Sequence, residues 1–217
     1  MLSSLFYVKN KDTYPPFKNG LYLEEFFLKY MQGKKTKRTY IPSLWTNFQI
    51  ESWFKSKKYE MQISLDNFIS NNPNKHGYFT VIQYDDGSLL TLPKNTVVYG
   101  ACSGDIPLPL IYQDINNTLH SIPKKKFNEK QILCSFVGTF THTIRQKIYD
   151  TYKTNSEFDF TVVNNWSPVV DKNKQDSFIT KTINSKFALA PRGYGRSSFR
   201  FFEIFQLGTI PIYIWDD

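Results

Sequence analysis

The second half of the chain alternates between short apolar runs and amphipathic segments, and this order constrains the fold more than any other feature. The run at 131–138 is almost continuously apolar, as in a strand buried on both faces of a sheet. Further strands are predicted at 158–163, 187–190 and 210–214, and helices at 143–152, 174–185 and 197–207. Strands and helices that alternate at these lengths form βαβ units, so we predict a parallel sheet covered by helices.

The first half carries a second set of elements. Helical spacing of apolar residues, or helix-forming composition, predicts helices at 20–31, 45–54 and 59–70. Runs of β-branched and aromatic residues predict strands at 78–84, 96–101 and 106–112. A polar, basic stretch at 121–130 is the candidate linker. We therefore place one domain at 1–125 and a second at 126–217.

The charge of the chain favours anionic ligands, since the net charge is +8 and the pI is near 9.3. Basic residues cluster at 34–38 and at 124–126, between better patterned segments, and we interpret both clusters as solvated loops. The sequence shows neither a dense basic stripe nor a recognisable nucleic-acid-binding module. A nucleic-acid partner is therefore not expected.

The two cysteines and the start of the chain indicate the compartment. Cys102 and Cys134 lack the spacing of metal ligands and stand in apolar stretches, which predicts two buried free thiols. The first residues, 1–6, show no basic, apolar leader, and no run approaches the roughly 18 apolar residues of a membrane span. We expect a soluble, cytoplasmic protein without a transmembrane segment.

Two segments follow predicted strands and lead into helices, where parallel sheets bind their ligands. In the first, the strand ends at Gly138 and the next helix carries Arg145 in its first turn. Free backbone N–H groups and the helix dipole favour an anion there, although a solvent-exposed Arg145 explains the same pattern. His142 adjoins this loop and is a further candidate for ligand contact.

The second segment, 191–203, contains three arginines, two glycines and two serines. Glycines allow the backbone to approach a ligand, serines cap helices, and arginines match the paired oxygens of a diphosphate. Glu203 lies three residues after Arg200 on one helix face and can accept hydrogen bonds from ribose hydroxyls. A basic capped turn with a surface Arg200–Glu203 pair is the alternative. Tyr194 is a further candidate for ligand contact.

These residues stand in the order of a known signature. An apolar strand runs into Pro191-Arg192-Gly193, Ser198-Phe199-Arg200 is followed by Glu203, and Gly208-Thr209-Ile210-Pro211 opens another apolar strand. The pattern closely resembles that of exostosin-like glycosyltransferases, and Phe136-Val137-Gly138 followed by Arg145 is similar to a second motif of that family. The resemblance covers 133–217 and is faint upstream.

The resemblance implies a GT-B architecture, in which two Rossmann-like α/β domains with parallel sheets face each other across a cleft. The domain at 1–125 would hold the acceptor and the domain at 126–217 the nucleotide sugar. We expect that second domain to be incomplete, because relatives continue beyond the position of Asp217. Ala190 stands where the family usually has a cysteine, which we expect to be harmless.

The resemblance also implies the reaction. A sugar would pass from a nucleotide diphosphate sugar, with a UDP-sugar favoured, to a hydroxyl of an oligosaccharide or glycoprotein acceptor. The family inverts the anomeric carbon without a bound metal, so no metal or other cofactor is expected. The residues carried over to the donor are Gly138, Arg145, Arg192, Gly193, Ser198, Arg200 and Glu203. The arginines would contact phosphate, Ser198 would bond near it, and Glu203 would hold the ribose. A non-catalytic basic module that binds anionic polysaccharide or nucleic acid is the alternative.

An inverting transfer needs a general base for the acceptor hydroxyl. Asp85 and Asp86 follow the strand at 78–84 and are our first choice; an ordinary Asp-Gly hairpin turn is the alternative. A metal-binding acidic pair of a GT-A enzyme fits the arginine-rich loop poorly. Glu24, Glu25 and Asp105 are reserves, and the pattern of the first helix predicts that Glu24 and Glu25 line its solvated face.

Overall fold

The computed structural model describes residues 22–110, 114, 117–163, 165 and 170–215. The described residues form two compact units, 22–110 and 114–215. The stretch predicted as a linker, 121–130, belongs to the second unit. Within the described part of the chain, no helix is both long and apolar enough to cross a membrane.

The first unit is a parallel four-stranded sheet with the strand order β1-β2-β3-β4. Its strands are β1 (Thr39–Tyr40), β2 (Tyr78–Ile82), β3 (Thr96–Gly100) and β4 (Ile106–Pro107). Its helices are α1 (Leu23–Tyr30), α2 (Trp45–Gln49) and α3 (Phe54–Asn71). Of the helix predicted at 45–54, α2 covers 45–49, and α3 begins at residue 54 and contains the helix predicted at 59–70. Of the strand predicted at 106–112, β4 covers the first two residues, and 111–112 lie outside the described residues. Pro107 and Pro109 have no N–H group with which to extend that ladder.

Parallel pairing of β2 with β3 excludes a hairpin turn at Asp85 and Asp86. A two-residue hairpin joins antiparallel strands, so the hairpin interpretation is wrong. The chain instead turns tightly after β2, where the Gly87 N–H donates to the Tyr84 carbonyl at 3.0 Å and Gly87 has a φ of +75°. The two aspartates thus lie beyond the carboxyl end of a parallel strand.

The core of the first unit packs α2 and α3 against β2. It contains the fully buried side chains of Ile41, Trp45, Phe48, Leu65 and Ile82. The indole N–H of Trp45 donates to Thr80 Oγ1 at 2.8 Å, and that hydroxyl donates to the Ile41 carbonyl at 3.1 Å. The buried polar groups of Trp45 and Thr80 are thereby paired, and the start of α2 is fixed against the centre of the sheet.

Glu24 corrects the prediction of a solvated face on α1, because its side chain is only 2% exposed. One carboxylate oxygen accepts hydrogen bonds from the Gln83 N–H at 2.7 Å and the Thr46 hydroxyl at 2.9 Å. The other accepts the Thr46 N–H at 3.0 Å. Burial raises the pKa of Glu24 to about 8, although these donors act in the opposite direction. Neighbouring Glu25 is half-buried, and burial raises its pKa as well.

The second unit is also a parallel four-stranded sheet, with the strand order β6-β5-β7-β8. Its strands are β5 (Ile132–Gly138), β6 (Phe158–Val162), β7 (Ser185–Pro191) and β8 (Ile210–Ile214). Its helices are α4 (Thr143–Tyr152), α5 (Lys172–Asn184) and α6 (Phe199–Gln206), and a single 3-10 turn covers Phe127–Glu129. The alternation predicted from the sequence is confirmed, and α4 has the predicted bounds.

The core of the second unit lies between α4 and one face of its sheet. Cys134, Phe136, Ile148 and Leu189 are buried there, with aromatic rings of β6 and β7 packed around them. On the other face, Lys181 of α5 forms an ion pair with Asp159 of β6. Helices on both faces make the βαβ crossovers that the sequence predicts.

The buried carboxyl of Glu24 makes the stability of the chain depend on pH. Its pKa in the folded state is higher than in the unfolded chain, so the folded state binds more protons between about pH 4.5 and pH 8. The contribution is fully present below this range and is lost as the pH rises through it. We expect Glu24→Gln to remove a slope of at most about 1.4 kcal/mol per pH unit, measured by urea unfolding at several pH values.

Glu60→Gln is the matched control, since Glu60 is exposed on α3 and pairs with Lys57. Its stability should follow the wild-type pH profile. An unchanged slope in Glu24→Gln would show that Glu24 is ionised throughout this range in the folded state.

Candidate functional site

The order of strands in the second unit creates a crevice at the carboxyl ends of β5 and β7. The chain passes from β5 to β6 on one side and then crosses to β7 on the other side of β5. The loops that follow β5 and β7 therefore leave the sheet in opposite directions. Open parallel α/β sheets bind ligands at such a switch point.

The structure brings the two predicted ligand segments together at this point. A Cβ added at Gly193 would lie 3.0 Å from Arg145 Nη2 and 3.2 Å from Thr141 Oγ1. The loop after β7 thus lies directly against the loop after β5 and the first turn of α4. A Cβ at position 193 would be in tight contact, so Arg145 or Thr141 would have to shift by a few tenths of an ångström to admit it.

Arg145 holds the two loops together. Its guanidinium donates to the carbonyls of Arg192 at 2.8 Å, Thr139 at 2.9 Å and Pro191 at 3.1 Å. Three of its five N–H groups are therefore used by backbone oxygens of both loops. The interpretation of Arg145 as a merely solvent-exposed helix residue is wrong.

The charge of Arg145 is held where it is partly desolvated. Burial is the larger cause and the positive charge of Arg200 the smaller, and together they lower the pKa of Arg145 to about 10. The positive charges of Arg145 and Arg200 thus repel each other. An anion between them would relieve this repulsion, which makes the site electrostatically suited to phosphate.

Two helices begin beside this crevice, and each has a side-chain cap. The Ser198 hydroxyl accepts the Arg200 N–H at 3.3 Å at the start of α6, so Ser198 is the cap that its position predicts. His142 Nδ1 accepts the Ile144 N–H at 3.3 Å at the start of α4. His142 therefore has a structural role in this loop, and its contact with a ligand stays a prediction.

Arg200 and Glu203 form a pair, but it is not a surface pair. Arg200 Nη1 lies 3.1 Å from Glu203 Oε2, and Glu203 is only 2% exposed. The guanidinium carbon of Arg200 lies 3.6 Å from the centre of the Phe178 ring on α5. Arg200 is thus held between a buried carboxylate and an aromatic ring. Hydrogen bonding of Glu203 to ribose stays a prediction.

The outer part of the second loop carries further arginines and aromatic rings. Arg192 donates from Nη2 to the Tyr194 carbonyl at 3.1 Å, and the Tyr194 side chain is exposed. The guanidinium of Arg196 lies 5.6 Å from the centre of the exposed Trp215 ring, just beyond β8. Our sequence reasoning missed Trp215 and Phe178, because nothing in the local pattern pairs a distant aromatic residue with an arginine.

The first-choice bases, Asp85 and Asp86, lie at the carboxyl edge of the first sheet, whereas Asp105 precedes β4 and Glu24 and Glu25 lie on α1. The Cys102 thiol, which is half-buried rather than buried as predicted, donates to Asp85 Oδ1 at 3.0 Å. Asp105 accepts the Val98 N–H at 2.8 Å and so holds the loop after β3. Glu25 Oε1 accepts from the Asn47 amide at 3.4 Å. Of these reserves, Glu24 is enclosed by protein, as described above.

The part of the chain that the structure describes contains no group of three or more His, Cys, Asp or Glu placed to hold a metal ion. The other predicted free thiol, Cys134, is buried in the core of the second unit as expected.

Fold and site together define a class of protein. Two four-stranded parallel sheets with crossover helices form a GT-B-like α/β chain, and its second unit brings Arg145 against the loop of Arg192 at a switch point. Residues 66–217, more than two-thirds of the chain, match the family model of the Exostosin GT47 domain. The chain belongs to this glycosyltransferase family. A comparison with curated proteins gives no match.

The position of Arg145 predicts a large effect on stability. We expect Arg145→Ala to lower the free energy of unfolding by about 3 kcal/mol, because three carbonyls lose a charged donor. Arg145→Lys should recover little of it, since an ammonium group cannot match the fork geometry. Urea unfolding followed by circular dichroism measures both changes.

Lys147→Ala is the matched control, because Lys147 is an exposed cation on the same helix. The free energy of unfolding of this variant should stay within about 0.5 kcal/mol of the wild-type value. If Arg145→Ala unfolds at the same urea concentration as the wild type, Arg145 does not hold the loops after β5 and β7 together.

Proposed function

We propose that this glycosyltransferase takes a nucleotide diphosphate sugar, with a UDP-sugar favoured, and transfers the sugar with inversion to a hydroxyl of an oligosaccharide or glycoprotein. The observation that carries the proposal is the meeting of two loops and two guanidinium groups at the β5/β7 switch point. Family membership supports transfer of a sugar. The diphosphate is the part of such a donor that this crevice suits best.

The arginines divide the work of binding the diphosphate. Arg145 already donates three N–H groups to backbone carbonyls, so its positive charge would act on the diphosphate mainly at longer range. Arg200 is oriented by Glu203 and Phe178 and is the direct phosphate ligand in this proposal, with Arg192 as a second. Backbone N–H groups at the start of α6 add donors.

The same charges stabilise the leaving group. When the bond from the anomeric carbon to the diphosphate breaks, negative charge grows on the departing phosphate oxygen. Fixed guanidinium groups offset that charge without reorganising, and this is the basis for proposing a metal-independent transfer. The acceptor hydroxyl attacks the opposite face of the sugar and loses its proton to a base.

Asp85 and Asp86 remain the proposed base candidates. Both follow β2 at the carboxyl edge of the first sheet, where loops of parallel sheets bind ligands. Asp85 accepts a hydrogen bond from the Cys102 thiol, which restrains its orientation.

Donor binding provides the first test. A nucleoside diphosphate that binds the folded chain should raise its melting temperature, corresponding to about 2.7 kcal/mol at one hundred times the dissociation constant. We expect a shift with UDP and not with uridine, and Arg200→Ala should abolish it. Differential scanning fluorimetry measures the shift.

Lys147→Ala should keep the full shift, because it removes a charge outside the crevice. A chain that ignores nucleotides but binds polyanions with a steep loss of affinity in salt would instead be the basic binding module.

Turnover provides the second test. With a panel of nucleotide sugars, the matching donor should be hydrolysed slowly, and transfer should be faster once an acceptor is found. Replacing the general base should lower kcat for transfer by about 100-fold to 10,000-fold, and so we expect this for Asp85→Asn or Asp86→Asn. Donor binding by that variant should be unchanged.

Glu60→Gln removes a carboxylate from the exposed surface of α3 and should leave turnover intact. If both aspartate variants turn over normally, the base lies elsewhere.

A further inference from the structure

Three loops enter the first sheet at its amino edge and form one continuous surface. They are 32–38 before β1, 72–77 before β2 and 91–95 before β3. Arg38 Nη1 donates to the Asn95 carbonyl at 2.8 Å, and the Asn74 amide donates to the Lys37 carbonyl at 3.0 Å. These bonds connect the first loop with each of the other two, so their outer residues keep fixed positions relative to one another.

The side chains that this surface presents are basic. The exposed lysines of the three loops are Lys34, Lys35, Lys37, Lys75 and Lys94. Arg38 and His76 lie among them, and none of the three loops contains an Asp or Glu. Asp66 of α3 is connected with the loops through Gln62. The side-chain amide of Gln62 donates both to Asp66 Oδ1 and to the Thr91 carbonyl. We call this surface the amino-edge patch.

An exposed aromatic pair adjoins the patch. Phe26 and Tyr30 lie one helical turn apart on α1 and are 48% and 53% exposed. Their rings stack at a centroid distance of 6.5 Å and an angle of 11°, and Lys34 Nζ lies 4.2 Å from the centre of the Tyr30 ring. The inward side chains of the same helix, such as Phe27, pack on Tyr40 and Phe79. The exposed rings of Phe26 and Tyr30 thus lie directly beside the amino-edge patch and extend it with an apolar area.

We propose that the amino-edge patch binds the surface of an anionic phospholipid bilayer. Lysine is a compact point charge that suits many headgroups without a fixed geometry. Clustered lysines beside a helix with exposed aromatic residues are the combination that anionic membrane surfaces attract. The Tyr30 ring is already in contact with Phe26 and Lys34, which disfavours stacking on bases or sugar rings. The charge pattern and the aromatic pair therefore favour headgroups over a nucleic acid.

The patch leaves the candidate bases free. Parallel strands place it at the amino edge of the sheet, whereas Asp85 and Asp86 follow the carboxyl end of β2. A bilayer at one edge does not cover the loops at the other. The patch and the candidate bases therefore lie at opposite edges of one sheet, and the proposals made for them can fail separately.

Flotation with vesicles tests the proposal on the whole chain. Wild type should float with vesicles of phosphatidylcholine and phosphatidylserine at low salt, and should stay behind with phosphatidylcholine alone. Each lysine near a charged surface contributes about fivefold in binding, so the variant Lys35→Gln, Lys37→Gln, Lys75→Gln should bind roughly 100-fold more weakly.

The matched control is Lys55→Gln, Lys57→Gln, Lys58→Gln, which removes the same net charge from exposed positions on α3. It should float nearly as wild type does. Equal losses in the two variants would show a general effect of net charge and would overturn the patch assignment.

Phe26→Ser tests the aromatic pair, and the binding that remains at high salt should fall in this variant. If the chain floats with neither vesicle, the proposal is overturned. Binding to single-stranded DNA that is lost in the patch variant, without vesicle binding, would assign the surface to a nucleic acid. The melting shift with UDP should be the same in all these variants, and this separates the patch from the donor site.

Discussion

Two loops that belong to different βαβ units are joined by the side chain of Arg145. Secondary structure places the loops after β5 and β7 at the same edge of the sheet, but it leaves their carbonyls facing each other. Carbonyls repel one another unless donors lie between them, and the Arg145 guanidinium supplies three. Gly193 lies directly beside this guanidinium, so the loop after β7 is held close to the start of α4. The same positive charge is the basis for the proposal that an anion binds here.

Much of the fold follows from the sequence because parallel sheets with crossover helices have strong local signals. The bounds of α4 are predicted to the residue, and β5 is recognised from its apolar run. The sequence-based predictions are wrong where contacts between residues distant in sequence determine whether a side chain is buried. Glu24 has the spacing of a polar helix face, yet it is buried because Thr46 and Gln83, which are distant in sequence, direct their donors at it. The local period carries no information about such partners.

The candidate site divides in the same way. Segments 136–145 and 191–203 can be found from the sequence, since glycines, caps and arginines lie where a strand meets a helix. What each arginine contacts cannot be found this way. The stacking of Arg200 on Phe178, 22 residues earlier, and the carbonyls held by Arg145 depend on how the helices cross the sheet. The basic loops of the first sheet are similar, because the sequence shows only short clusters and the parallel order of strands gathers them at one edge.

The length of β2 has a consequence for the acceptor. Five residues of extended chain, Tyr78–Ile82, separate the loop at its amino end from the turn that holds Asp85 and Asp86. At about 3.3 Å per residue, this strand spans roughly 16 Å. If the amino end rests on headgroups, and if Asp85 or Asp86 is the proposed base, the acceptor hydroxyl must stand about that far above the lipid. A glycan attached to a lipid or to a membrane-bound protein would therefore have to be several sugar units long to reach that distance.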